Sequence, residues 1–270
     1  MARLKYLGDV LPDYLVTTTI FSHEDSSQIT LRPHRMRTLR ATAVNASFLA
    51  FCSLSRTVPT PVAEIAPLYP DEAPSLIPCA RSTSIPKVLR YAPIPALTSA
   101  LGATRTRLAA LEPIINATLG RRLVYPWRAF AAFAPEKVFS DMIEAVLGAV
   151  YIDTGGDLTA CDALLRGFGI IDWVETALKK EVQIQHPKEE VGVLARNEQV
   201  RYRVWIEHDD CIAGSSGVLV NEGEEKLDLG NGRYRCKLLV GEREICSVRG
   251  WNKIDVETAA ADDIRILKVK

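Results

Sequence analysis

The chain is 270 residues long, with 47% hydrophobic and 24% charged residues, the proportions of a soluble globular protein of one large or two ordinary domains. Its longest apolar run, residues 145–152, is far too short to cross a bilayer, and its first residues alternate charge with apolar groups, unlike a signal core. The formal net charge is zero, yet residues 21–140 carry 14 Lys/Arg against 7 Asp/Glu, whereas residues 141–270 carry 17 against 24.

Residues 3–21 read as a first helix, with Leu4, Leu7, Leu11, Tyr14 and Leu15 on one stripe and Pro12 expected to kink or interrupt it. Leu31 to His34 form an entry turn to a second helix over 34–54. Residues 57–96 hold nine of the fifteen prolines and read as an extended or partly disordered insertion. A helix returns at 98–112, breaks at Pro113 and continues to Leu119. The next spans 136–152 and stops at Gly155-Gly156; two more follow at 157–167 and 171–182. The tail changes character: a helix at 188–196, strands at 200–208, 233–240 and 243–249, the last two joined at Gly241-Glu242, and a closing helix at 254–267.

Six cysteines, at 52, 79, 161, 211, 236 and 246, show no Cys-x-x-Cys and no histidine at zinc spacing. Free thiols in a reducing compartment follow, with Cys236 and Cys246 also able to face each other on neighbouring strands. The expected location is intracellular, in cytoplasm or nucleus.

Two short segments carry the chemistry. One is Arg3-Leu4-Lys5-Tyr6-Leu7-Gly8-Asp9, running on to Asp13-Tyr14-Leu15-Val16. The other is residues 137–149, in which Asp141 and Glu144, three apart, share one helical face. Acids beside a buried face are costly unless a cation compensates them, so two such segments meeting could hold divalent metal through oxygen ligands. A basic region opposite acidic helices suits a polyanionic substrate, although a solvated surface also fluctuates in charge.

This pair of segments resembles the signature of the ribonuclease III family, in which Leu-Gly-Asp opens the first catalytic helix and Asp-x-x-Glu-Ala marks the second. Flanking residues are similar to the second nuclease domain of fungal Dicer-like proteins: Met36 to Arg40 with Ala43-Val44-Asn45, Tyr125-Pro126-Trp127, Tyr151 to Gly156, and His186-Pro187-Lys188-Glu189-Glu190. The resemblance implies a mainly α fold: an all-helical endonuclease domain over 1–180, with 57–96 inserted, then a small α-β-β-β-α module over 181–270 similar to a double-stranded-RNA-binding domain.

The implied activity is cleavage of double-stranded RNA by two-metal phosphodiester hydrolysis, in Dicer-like RNA processing or silencing. Magnesium or manganese is the implied cofactor. The implied partners are duplex RNA and either a second copy or a second ribonuclease III domain, with no membrane. Of the four acids of the family's cage, three match by position, Asp9, Asp141 and Glu144, as catalytic and metal-binding residues. The fourth, sought seven residues before Asp9, falls on Ala2, which offers no oxygen. Lys5, where the family commonly has an acid, and Pro12 are further departures. The chain also starts within the signature, so a truncated N-terminus or a decaying fragment is expected.

Lys137 matches a basic residue that contacts phosphate or orients Asp141, or is an ordinary surface lysine. Asn45 matches a polar position of the family fold and reads as structural or as a support behind the site, Asp13 as a local cap or pair, and His186 as a helix-entry residue. In the tail, Lys253 beside Asn252 stands where the family's module meets RNA, but residues 181–270 carry 14 Lys/Arg against 17 Asp/Glu. RNA contact is therefore expected more from residues 32–40, with Arg37 and Arg40, and from 121–128. The competing reading is a non-catalytic RNA-binding or scaffolding relative that keeps the fold and loses the chemistry; an unrelated helical domain with an appended sheet is the third.

Overall fold

The structure, a computed structural model, describes residues 2–27, 31–65, 76–84, 95–121, 124–196, 198–207, 218–219 and 233–268. Among these, ten helices and six strands follow in the order α1 Ala2–Ser27, α2 Pro33–Ala43, α3 Ala46–Ser55, β1 Thr57–Ile65, β2 Leu76–Ser84, α4 Pro95–Arg121, α5 Trp127–Phe133, α6 Lys137–Asp153, α7 Leu158–Gly167, α8 Ile170–Lys179, α9 Pro187–Ala195, β3 Val200–Glu207, β4 Val218–Leu219, β5 Arg233–Val240, β6 Arg243–Gly250 and α10 Lys253–Lys268. The fold is mainly helical, ending in a small antiparallel sheet closed by a helix. Two compact units emerge, Met1–Pro113 with Pro135–Val182, and Ile114–Ala134 with Gln183–Lys270.

In the first unit α1 packs against α6, α8 and α2. Pro12 lies inside α1, which runs unbroken past the expected end at residue 21. The proline leaves the Gly8 carbonyl without its helical donor, but Leu11, Leu15, Val16 and Ile20 are all buried, and that packing holds the helix across the gap.

The single helix expected over 34–54 is two helices. Asn45 adopts an extended conformation (φ −60°, ψ 132°), and its side-chain oxygen accepts the Ser47 N–H at 2.9 Å, capping α3. Nearly all of α3 is then buried, Phe48 to Leu54. Arg35 of α2 donates to the carbonyls of Val182 and Ala177, at 3.4 and 3.3 Å, and ties α2 to the end of α8.

Two segments of the insertion are extended, as one of the two expectations had it, and β1 pairs with β2 antiparallel from Thr57↔Ser84 to Ile65↔Leu76. Pro59↔Ser82, Pro61↔Ala80 and Ala63↔Pro78 fall on alternate pairs, so all three prolines occupy the same class of position. Only non-hydrogen-bonded pairs tolerate a missing N–H, and that shared parity is what lets a proline-rich segment form a hairpin. Residues 66–75 and 85–94 of the insertion lie outside the described residues.

The break expected at Pro113 is absent, and α4 runs through it. The ends of α6 and α7 fall where expected. Gly155 and Gly156 take φ of 67° and 97°, the left-handed region that glycine enters freely, and Asp157 caps α7 by accepting the Thr159 N–H at 2.8 Å.

In the second unit the sheet order is β4-β3-β5-β6, one short strand more than the expected three. Its inner face, Val204, Cys236 and Leu238, packs on Val191 of α9 and on Val256, Ala260 and Ala261 of α10. The alanines let α10 lie close to the sheet. His186 enters α9 as its cap, with Nδ1 accepting the Lys188 N–H at 3.2 Å; burial and Lys188 hold its pKa down, as a neutral acceptor requires. Cys52, Cys161, Cys236 and Cys246 are free thiols, and burial pushes Cys236 up to about 12. No helix among the described residues is long and apolar enough to cross a membrane.

Candidate functional site

Two glycines create the site. A Cβ at Gly8 of α1 would overlap the carbonyl oxygen of Glu144 in α6 and stand 3.0 Å from the Gly148 amide nitrogen. One at Gly148 would overlap the Leu4 carbonyl oxygen and stand 3.2 Å from the Gly8 nitrogen. The two helices therefore touch backbone to backbone, which any larger residue forbids. Both glycines stand inside the quoted motifs, where sequence reasoning gave them no role. Small residues on two amphipathic helices were the available signal.

That contact brings the three predicted acids into one electrostatic neighbourhood. Glu144 is 7% exposed, and its Oε2 is buried with no hydrogen-bond partner. Burial raises its pKa first, then the charges of Asp141 and Asp9; Lys137 and Lys5 oppose the rise. Asp9 itself is exposed.

Asp141 is held by two ammonium groups. Lys137 donates from one turn earlier on the same helix, Nζ to Oδ1 at 2.7 Å. Lys5 reaches across from α1, with Nζ 3.3 Å from Oδ2. Lys5 lies one turn before Asp9, and α1 presents both side chains to the acids of α6. In the sequence Lys5 stands out only as a departure and the missing oxygen is sought at Ala2, whose side chain lies outside the described residues.

Hard carboxylate oxygens are the donors magnesium takes, and an orphaned buried oxygen such as Glu144 Oε2 is what a cation would satisfy. Against this, no three His, Cys, Asp or Glu side chains among the described residues are grouped to hold an ion. Both oxygens of Asp141 already face lysines. As arranged, the residues do not fit a resident divalent ion.

The predicted RNA-contact residues separate. Arg37 is exposed on α2. Arg40 lies 3.7 Å from Asp13, which thereby pairs across helices, not locally. Lys137 is 70% exposed and its Nζ donates to Asp141 Oδ1 at 2.7 Å. Lys253 belongs to the second unit, at the start of α10. There Asn252 accepts the Asp255 N–H at 2.9 Å and donates to the Ala131 carbonyl at 3.1 Å, while Asp255 accepts the Trp251 N–H at 3.0 Å. This helix start is held by residues of its own unit. Of residues 121–128, Arg128 pairs with Asp263 at 3.9 Å, and Arg122 lies outside the described residues.

A family model described as the Ribonuclease III domain matches residues 2–155, and one described as the Dicer-like protein 2 double-stranded-RNA-binding domain matches residues 180–270. The chain is 31% identical over 261 residues to Dicer-like protein 2 of Phaeosphaeria nodorum, covering 96% of this chain and 16% of that protein. It is 30% identical over 268 residues to Dicer-like protein 2 of Pyricularia oryzae, 98% of this chain and 18% of the relative. Dicer-like protein 2 of Cryphonectria parasitica is 27% identical over 284 residues, 99% of this chain and 18% of its own length. The chain thus spans less than a fifth of the length of these relatives.

Proposed function

The chain belongs to the ribonuclease III family, and from that premise we propose that it engages double-stranded RNA as the nuclease-fold and RNA-binding part of a Dicer-like protein, with its own strand cleavage impaired. The carrying observation is the pair of lysines on Asp141 inside an otherwise intact α1–α6 frame. The glycine contact that brings the acids together is kept, while the oxygen cage that would bind metal is closed by ammonium groups.

Duplex RNA as the ligand is supported by the name of the matched tail domain and by the exposed Arg37, with Arg40 beside it. Such contacts act on phosphates and carry no sequence preference. A paired nuclease domain, whether a second copy or another ribonuclease III domain, is supported by the outer stripe of α1. Tyr6, Val10, Tyr14 and Phe21 are 84%, 64%, 52% and 53% exposed, and their spacing aligns them on one side of the helix. An intracellular setting, cytoplasm or nucleus, goes with the free thiols.

One observation favours the alternative, a working endoribonuclease with magnesium or manganese as cofactor. Glu144 Oε2 lacks a donor, so the acidic face is short of positive charge even with two lysines present. Incubating the purified chain with end-labelled duplex RNA and either ion separates the two. The expected result is a gel shift with the RNA left intact. Rapid cutting that Asp141→Asn abolishes would sink the impaired reading in favour of the nuclease, and absence of both binding and cutting would sink the RNA reading altogether.

A further inference from the structure

The two cations on Asp141 are not equivalent. Lys137 is 70% exposed and bonds one turn along its own helix, a contact that bulk water weakens and that a bound ion could displace by swinging the side chain out. Lys5 is 33% exposed and comes from the opposite helix, at a position set by the backbone contact of Gly8 with α6. It is the less exposed of the two lysines and reaches Asp141 from the facing helix.

We propose that the ammonium group of Lys5 takes the place of a divalent cation as counter-charge to Asp141 and Glu144, and that this one side chain keeps metal off the α1–α6 face. The inference rests on the impaired-cleavage reading and names its cause. Lys5 acts twice: it contributes no oxygen where a ligand from α1 would have to stand, and it puts a positive charge beside the carboxylates an ion would need. The groups facing this point are Asp9 and Lys5 from α1, and Lys137, Asp141 and Glu144 from α6. A glutamate at position 5 would turn the same face from two lysines and three acids into one lysine and four acids.

The test is a manganese titration of the full chain without RNA, read from the electron paramagnetic resonance signal of the free ion. The native chain is expected to bind Mn2+ no tighter than roughly millimolar, while Lys5→Glu binds at least about tenfold tighter, the scale on which neighbouring groups tune metal sites. Adding Glu144→Gln to Lys5→Glu should remove the gain. Lys137→Ala should change little. Lys5→Gln, which carries no charge, serves where four acids prevent folding, and should give a smaller gain in the same direction.

Submillimolar binding by the native chain that Glu144→Gln abolishes would overturn the proposal. So would Lys5→Glu or Lys5→Gln, folded by circular dichroism, binding no more tightly than the native chain. Because no RNA is present, either failure is separate from a failure to bind duplex RNA.

Discussion

Glu144 is an acid held where its charge is poorly compensated, and this gives the residue scale its sharpest predictions. Its folded-state pKa lies above the ordinary carboxyl value through burial, then Asp141 and Asp9. The folded chain therefore holds this proton more tightly than the unfolded chain. Its contribution to stability is complete below the ordinary glutamate range and is lost as pH rises through the raised folded value. Urea midpoints measured across that window should fall with pH, and Glu144→Gln should flatten the fall. Asp255 in the second unit is raised in the same sense by burial, against the Trp251 N–H that lowers it, so Asp255→Asn should remove a separate share. At Gly148, Ala should cost on the order of 3 kcal/mol or prevent folding, read by the same melts, because the clash is with the Leu4 carbonyl and backbone cannot swing aside. That Asp141 and Glu144 share one helical face was legible from their spacing. What Asp141 touches was not, because Lys5 is distant in sequence and the contact exists only once two helices meet.

At the scale of elements, local sequence located most helices and strands and misjudged their interruptions. Pro12 and Pro113 read as breaks, yet α1 and α4 continue through both. Intrinsic preference counts the lost N–H but not the apolar faces that packing buries on either side. Pro12→Ala restores the donor to the Gly8 carbonyl and should raise the melting temperature, by an amount set against a proline cost of up to about 3 kcal/mol. Asn45 errs in the other direction. A continuous helical pattern concealed a cap, and Asn45→Ala should cost about 1 kcal/mol in a chemical melt. The β1–β2 hairpin was hidden for a third reason: its prolines share one parity, and parity has meaning only against a paired strand.

For the whole molecule, charge is the property that reaches a ligand. Neutral overall, the chain separates a basic stretch from an acidic one. Its affinity for duplex RNA is expected to fall steeply as salt is raised. Arg37→Glu should weaken binding across unrelated sequences and lower the log–log salt slope by roughly one, measured by fluorescence anisotropy on two unrelated duplexes. Lys253→Glu should change it less, because the start of α10 is held by Asn252, Ala131 and Asp255 of its own unit. Equal losses at both positions would return the tail to the RNA-reading role.

The sequence by itself determined the helical class and the strand-bearing tail through local periodicity, and the family through resemblance of its motifs, since both survive without coordinates. Only the tertiary structure decided what Asp9, Asp141 and Glu144 touch. Electrostatic compensation depends on distances between side chains of different helices, and here those distances follow from Gly8 and Gly148 meeting without a Cβ between them. That contact sets Lys5 of α1 against Asp141, which also bonds Lys137 of its own helix.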